Sequence, residues 1–242
     1  MLPFSRKHHP NFATGIPLIV IPLIVILLTV ILLTATLSSC LNPHMVNRWV
    51  AHHYPPDALE PARQKNTQIV ITSKLPDMGP QPSTTEKKWS HVIPAVVYWH
   101  IDYQNICSLN PQIAVNRFTA AISTYGGKLK GKLNGGHLEL TIQQMPTVFL
   151  VDDRGYMIFP IYSVEWLSIQ PTVTDLVVSY RLLDGNNAEV RTGSISIADP
   201  ETAVGLKMWH SLKKMTWDYL DQHDDNVTAM SRKFVDKLVT EL

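Results

Sequence analysis

Ile16 to Leu33 is an apolar run without a single charged residue, and it takes the start of the chain out of any water-soluble core. Arg6 and Lys7 precede it, and Leu37-Ser38-Ser39-Cys40 follows it. A basic start, a hydrocarbon segment and small residues before a cleavage point form the order of a secretory signal. About twenty apolar residues also suffice to cross a bilayer core as one helix, and Pro17 and Pro22 are tolerated near the start of such a span. Residues 1–39 are therefore read as a signal peptide or membrane anchor, and either reading leaves the rest of the chain at a membrane surface.

Leu37-Ser38-Ser39-Cys40 resembles a bacterial lipobox, in which a hydrophobic and two small residues precede a cysteine that is acylated and becomes the mature N-terminus. The resemblance implies lipidation of Cys40 and a mature chain from Cys40 to Leu242. The alternative is a single-pass membrane protein that keeps its helix. Removing Arg6 and Lys7 leaves 19 Lys plus Arg against 20 Asp plus Glu, a balance without the basic footprint that nucleic acid requires. With Cys40 modified, Cys107 stands alone, which excludes an internal disulfide and a thiolate metal site.

Residues 40–88 read as a lipidated N-terminus and a Pro-rich tether. Prolines at 43, 55, 56, 61, 76, 80 and 82 remove backbone donors and favour extended chain. Gln68-Ile69-Val70-Ile71-Thr72 has strand character in this stretch and is suited to pair with the edge of a domain.

The domain is placed at 89–242. His91 to Asp102 reads as a strand. Asn110-Pro111 caps and starts a helix through about Thr124, which Gly126-Gly127 ends. Leu138 to Val151 reads as the next strand, followed by a turn at Asp152-Asp153-Arg154-Gly155 and a strand over Tyr156 to Gln170. Val173 to Leu183 alternates apolar and polar with period two, and Asp184-Gly185-Asn186-Asn187 is a hairpin signal leading into Glu189 to Ala198. There Val190 breaks parity with Ile195 and Ile197, so a bulge is expected at Gly193. Two terminal helices are expected, Glu201 to about Gln222 and a second carrying Val227, Met230, Phe234, Leu238 and Leu242, parted at His223-Asp224-Asp225-Asn226. The fold class is α+β: a two-layer domain with a mainly antiparallel sheet of four to five strands and helices packed on one face.

The helix ending in Gly-Gly, the segment Gly136-His137-Leu138-Glu139-Leu140 and the hairpin from Leu176-Val177-Val178-Ser179-Tyr180-Arg181-Leu182 to Val190-Arg191-Thr192-Gly193-Ser194-Ile195 follow the lipobox-like cysteine. Together they resemble auxiliary lipoproteins of ABC-type and lipopolysaccharide transport systems. The resemblance implies a non-enzymatic binding or assembly component of the envelope. It implies a domain facing the periplasm, at the outer rather than the inner membrane, with a protein partner or a lipid ligand.

No recognised catalytic or nucleotide-binding motif stands in the chain. Ser211-Leu212-Lys213-Lys214 matches Ser-x-x-Lys, but its companion motifs are missing and the residues suit a solvated helix. His44, His52 and His53 fall in the presumed tether, where no preformed metal site is expected. Asp152-Asp153 and Asp224-Asp225 read as turn formers and caps, and Cys107 as a small buried hydrophobe. No metal and no cofactor are expected. The surplus lies in aromatic residues, and Tyr156 to Leu167 is apolar on both parities, as in a strand covered on both faces. Trp99, Phe149, Phe159, Tyr162 and Trp166 form the candidate hydrophobic binding face. The alternative, an envelope hydrolase with an unfamiliar site, requires Asp102, His137, Ser163 and Glu165 to converge.

Overall fold

Two separate hydrophobic clusters, bridged by one long helix, organise the chain. The structure is a computed structural model that describes residues 43–63, 67–77, 83–93, 96–159, 162–207 and 209–242. Cys40 and the apolar run before it lie outside the described residues. Among the described residues no helix is long and apolar enough to cross a membrane.

In chain order the elements are α1 (Pro43–His53), a 3-10 turn (Pro56–Leu59), β1 (Ile69–Ser73), β2 (Ser83–Ile93), β3 (Val96–Ser108), α2 (Pro111–Tyr125) and a short α3 (Gly127–Lys130). Then come β4 (His137–Gln144), β5 (Val148–Phe159), β6 (Tyr162–Pro171), β7 (Leu176–Leu183), β8 (Glu189–Ile197), β9 (Val204–Gly205) and α4 (Leu212–Glu241). The strands make a four-stranded sheet, β1-β4-β7-β8, and a five-stranded sheet, β2-β3-β5-β6-β9. Among the described residues only β1, on β4, pairs in parallel. The α+β class holds, with helices packed on mainly antiparallel strands, and the strands divide between two sheets.

The four-stranded sheet lays Leu138, Leu140, Ile142, Leu176, Val178, Ile195 and Ile197 against Phe118 and Ile122 of α2 and Val227, Met230, Phe234 and Leu238 of α4. Alternation in β4 and β7 decides which face goes inward. The five-stranded sheet presents Cys107, Phe149, Val151, Leu167 and Ile169 to Val46 and Val50 of α1 and to Met215, Tyr219 and Leu220 of α4. At thirty residues, roughly 45 Å, α4 is long enough to serve both.

The N-terminal expectation is corrected. Residues 40–88 are not a tether: the unit that holds both sheets begins at Leu41. Val46, Val50 and Tyr54 recur every four residues and are buried, a helical stripe that the prolines conceal. Pro43 stands at the start of α1, and Pro55 and Pro56 lie just beyond its end, where proline does no harm to a helix. The strand expected around Ile69 forms as β1 on the edge of the four-stranded sheet. The polar run before Trp89 enters β2, an edge strand whose Thr84, Glu86 and Lys87 face solvent.

Three further boundaries move. The stretch from Leu138 to Val151 is two strands in different sheets, β4 and β5, and Asp152-Asp153-Arg154-Gly155 is continuous strand within β5. Asp152 survives there because Arg154 Nη2 at 2.8 Å and Gln170 Nε2 at 3.0 Å satisfy its carboxylate. The bulge of the last hairpin sits at Val190, between the pairs Leu182 with Arg191 and Leu183 with Glu189. Gly193 serves another purpose: a Cβ there would lie 2.7 Å from the Tyr180 hydroxyl, and the bare backbone lets that ring reach Glu241 Oε2 at 2.7 Å. The two terminal helices are one, and it starts only at Leu212. Its polar middle does not break it, because His223 and Asp224 find tertiary partners: Glu201 for the first, Tyr54 and Arg117 for the second.

The helix at Pro111 and the hairpin at Asp184 form as expected. Asn110 Oδ1 accepts the Gln112 N–H at 2.9 Å, and Asp184 Oδ1 accepts the N–H groups of Asn186 and Ala188.

Candidate functional site

β3 and β5 are the longest strands of the molecule, thirteen and twelve residues, and the helices cover only part of them. Cys107, Phe149 and Val151 lie under α1 and α4. Toward the other end of the same strands, Trp89, Tyr162 and Trp166 are each more than half exposed. The five-stranded sheet therefore extends past its helical cover as a wing.

The ladder register assigns faces, because residues directly opposite one another share a side. One row across the sheet is Trp89, His100, Tyr156 and Val164, and the next is Lys87, Asp102, Arg154 and Trp166. The following row, Gln104, Asp152 and Ser168, leads toward the covered half. All lie on the face turned away from the helices, since the alternate residues Tyr103, Asn105 and Cys107 are the buried ones. The rings touch in sequence. Trp89 meets Tyr98 edge-on at 5.3 Å, His100 stacks on Tyr156 at 4.4 Å, and Tyr156 meets Trp166 edge-on at 5.5 Å. Edge-to-face and offset contacts at these separations are mutually favourable, so the aromatic surface is pre-arranged. Beside it His100 Nε2 and Asp102 Oδ1 are buried without a hydrogen-bond partner among the described residues. The platform thus combines exposed ring faces with buried polar atoms, and Arg154 Nε approaches Asp102 Oδ1 at 4.0 Å.

The five aromatic residues of the expected binding face do not share one surface. Tyr162 and Trp166 lie on the outward face. Trp99 alternates with that face, opposite Ser90 and Met157, and is half-buried. Phe149 is fully buried against Tyr219, 5.0 Å between ring centroids, and belongs to the core. Phe159 pairs with Val97 in the ladder. Trp89 and His100 escaped the sequence reading; period-two counting along β3 from Tyr98 would have found His100, whereas Trp89 needs the hairpin register that pairs it with His100.

Asp102, His137, Ser163 and Glu165 do not converge. Asp102 pairs with Arg154 and Glu165 with Gly155, on opposite faces of the five-stranded sheet, whereas His137 stands in the four-stranded sheet opposite Leu183. Ser163 pairs with Met157. Asp153, on the helix side of β5, has its carboxyl pushed up to about 6 by burial first and then by the Glu165 and Asp152 charges.

A second polar group is closed within the core. Glu201 Oε1 lies 2.6 Å from His223 Nδ1, and the Tyr219 hydroxyl donates to Glu201 Oε2 at 2.8 Å. The Glu201 and His223 side chains are 1% and 2% exposed. Burial, followed by the Glu201 carboxylate, raises the Tyr219 phenol far above its ordinary range. The group ties the segment before β9 to α4. Its sequence signal is that His223 occupies a core position, four residues from Tyr219 and from Val227.

The other singled-out residues have structural partners. Cys107 is fully buried and its thiol is pushed up to about 12 by burial. His52 and His53 lie on α1 rather than in loose chain, beside Trp217 and Asp221. Ser211 caps α4 by accepting the Lys214 N–H at 3.2 Å, which accounts for the Ser-x-x-Lys spacing. Asp224 accepts hydrogen bonds from Tyr54 and Arg117 in mid-helix, so neither acidic pair forms a turn.

Comparison with protein-family models, with curated proteins and with solved structures finds no match to this chain.

Proposed function

We propose that the chain is a membrane-anchored lipoprotein of the bacterial cell envelope that works as a non-enzymatic binding or assembly component. Cys40 is its acylation point and the domain faces the periplasm, as for an auxiliary of a transport complex. The observation that carries the binding part is the outward face of the wing. Rings from β2, β3, β5 and β6 meet edge-on or stacked on a surface that no helix among the described residues covers, although half of the same sheet is packed in the ordinary way. Aromatic side chains supply large contact area with few rotatable bonds, which is why they dominate the anchors of protein interfaces. The mixed row of Lys87, Asp102 and Arg154 beside them is suited to orient a partner.

A photo-crosslinking residue placed at Tyr162 in the full chain, in cells, tests this, with Val173 as the control because it is 70% exposed outside the platform. A discrete protein adduct is expected from Tyr162 and not from Val173, and it should disappear in the Trp89→Ala, Trp166→Ala double variant while the melting transition is kept. Equal adducts from both positions, or an adduct insensitive to the double variant, would overturn the platform as the docking face.

A further inference from the structure

We infer that the loop carrying Trp209 rests in the headgroup layer of an anionic phospholipid bilayer, as a second contact with the membrane that anchors the chain. This rests on the anchored reading above and adds to it a surface separate from the aromatic platform.

Trp209 is 95% exposed, and it holds a left-handed backbone conformation at φ 68°. That region is unfavourable for a bulky residue. No packing of its own side chain accounts for a tryptophan there. The neighbouring chain holds the loop in place: the Leu206 N–H donates to the Leu167 carbonyl at 2.9 Å, the His210 N–H to the Lys207 carbonyl at 3.0 Å, and Ser211 caps α4. Leu206, 41% exposed, accompanies Trp209. Lys207, His210, Lys213 and Lys214 flank the pair in sequence; Lys213 Nζ lies 4.4 Å from the Trp217 ring centroid, Asp218 faces His210 Nδ1 at 3.6 Å and Lys214 Nζ at 2.5 Å, and Asp221 also acts on Lys214. An exposed tryptophan in a lysine-containing segment is a composition that settles at the boundary between headgroups and acyl chains.

The course of α1 fixes the occupant. Trp49 O accepts from Trp217 Nε1 at 3.2 Å, whereas His53 approaches Asp221 and Tyr54 bonds to Asp224 further along. α1 therefore runs parallel to α4, and its first residue, Pro43, lies toward the end where α4 begins, the end that the Trp209 loop leads into. Three Cα steps separate Pro43 from Cys40, the acylation point of the anchored reading, and extended chain covers at most about 11 Å over that distance. The loop thus sits at the end of the domain through which the chain leaves for the membrane.

The full chain reconstituted into vesicles of phosphatidylcholine and phosphatidylglycerol, with and without brominated acyl chains, provides the test. The parent and Trp209→Phe are compared, and both should float with the vesicles. The bromolipid should quench part of the tryptophan emission of the parent, and that part should be lost in Trp209→Phe. Flotation with identical bromolipid quenching in the two proteins would overturn the loop contact and leave the anchored reading standing. Failure of the parent to float would overturn both. A Trp209-dependent change in emission that follows protein concentration without lipid would assign the loop to a second copy of the chain and overturn the bilayer contact.

Discussion

Asp153 carries a cost that can be measured. Its carboxyl titrates near 6 in the folded chain against 3.8 ordinarily, because it is half-buried on the helix side of β5 with Glu165 and Asp152 nearby. The folded state therefore binds its proton more tightly than the unfolded state, so the contribution to stability is fully present below about pH 4 and is lost as the pH rises through 6. Asp153→Asn should stabilise the domain at pH 7 by about 1 kcal/mol after allowance for solvent screening at a half-exposed site. The advantage should fade between pH 6 and pH 4. Thermal melting of parent and variant across that range checks it, and an advantage independent of pH would assign the effect to something other than the charge. Asp152, one residue earlier, shows the opposite solution: its partners Arg154 and Gln170 allow a carboxylate to be almost fully buried on a strand. Neither residue is distinguishable from a turn former in the sequence, because the partners come from adjacent positions on the pleat and from the next strand.

Elements whose signals are local were legible. The Asn110 cap, the Asp184 hairpin and the period-two alternation of β7 each depend on residues within a few positions, and each forms where expected. Elements that depend on distant partners were not. The break placed at His223 presumed that four polar residues face water, whereas Glu201, Tyr54 and Arg117 reach two of them, His223 and Asp224, from three other parts of the chain. α1 was hidden because its prolines were counted by density rather than by position. Of the outward platform, Tyr162 and Trp166 were named for the binding face, but the division of faces could not be drawn until β5 was known to continue through Asp152 to Gly155. The role of α1 yields a prediction. Deleting residues 41–88 removes Val46, Val50, Tyr54 and Ile69 from the two clusters and should abolish the cooperative melting of the remainder, since stripping several core side chains exceeds the stability of an ordinary domain. A sharp transition in residues 89–242 alone would restore the tether reading.

For the molecule as a whole, attachment is separable from folding. Cys40→Ser should abolish fatty-acid incorporation and leave an uncleaved precursor, while the melting transition of the domain stays unchanged, because Cys40 lies outside the unit that begins at Leu41. Membrane attachment without any fatty acid in the parent would identify the apolar run as a spanning helix. The long helix has a further consequence, which concerns timing. α4 follows all nine described strands in chain order, yet Met215, Tyr219 and Leu220 complete one cluster and Val227, Met230, Phe234 and Leu238 the other. Until this helix has been synthesised, both sheets keep an apolar face open to water, and the residues that close the five-stranded sheet are made before those that close the four-stranded one. A chain built this way cannot complete its second cluster until the last turns of α4 have been made.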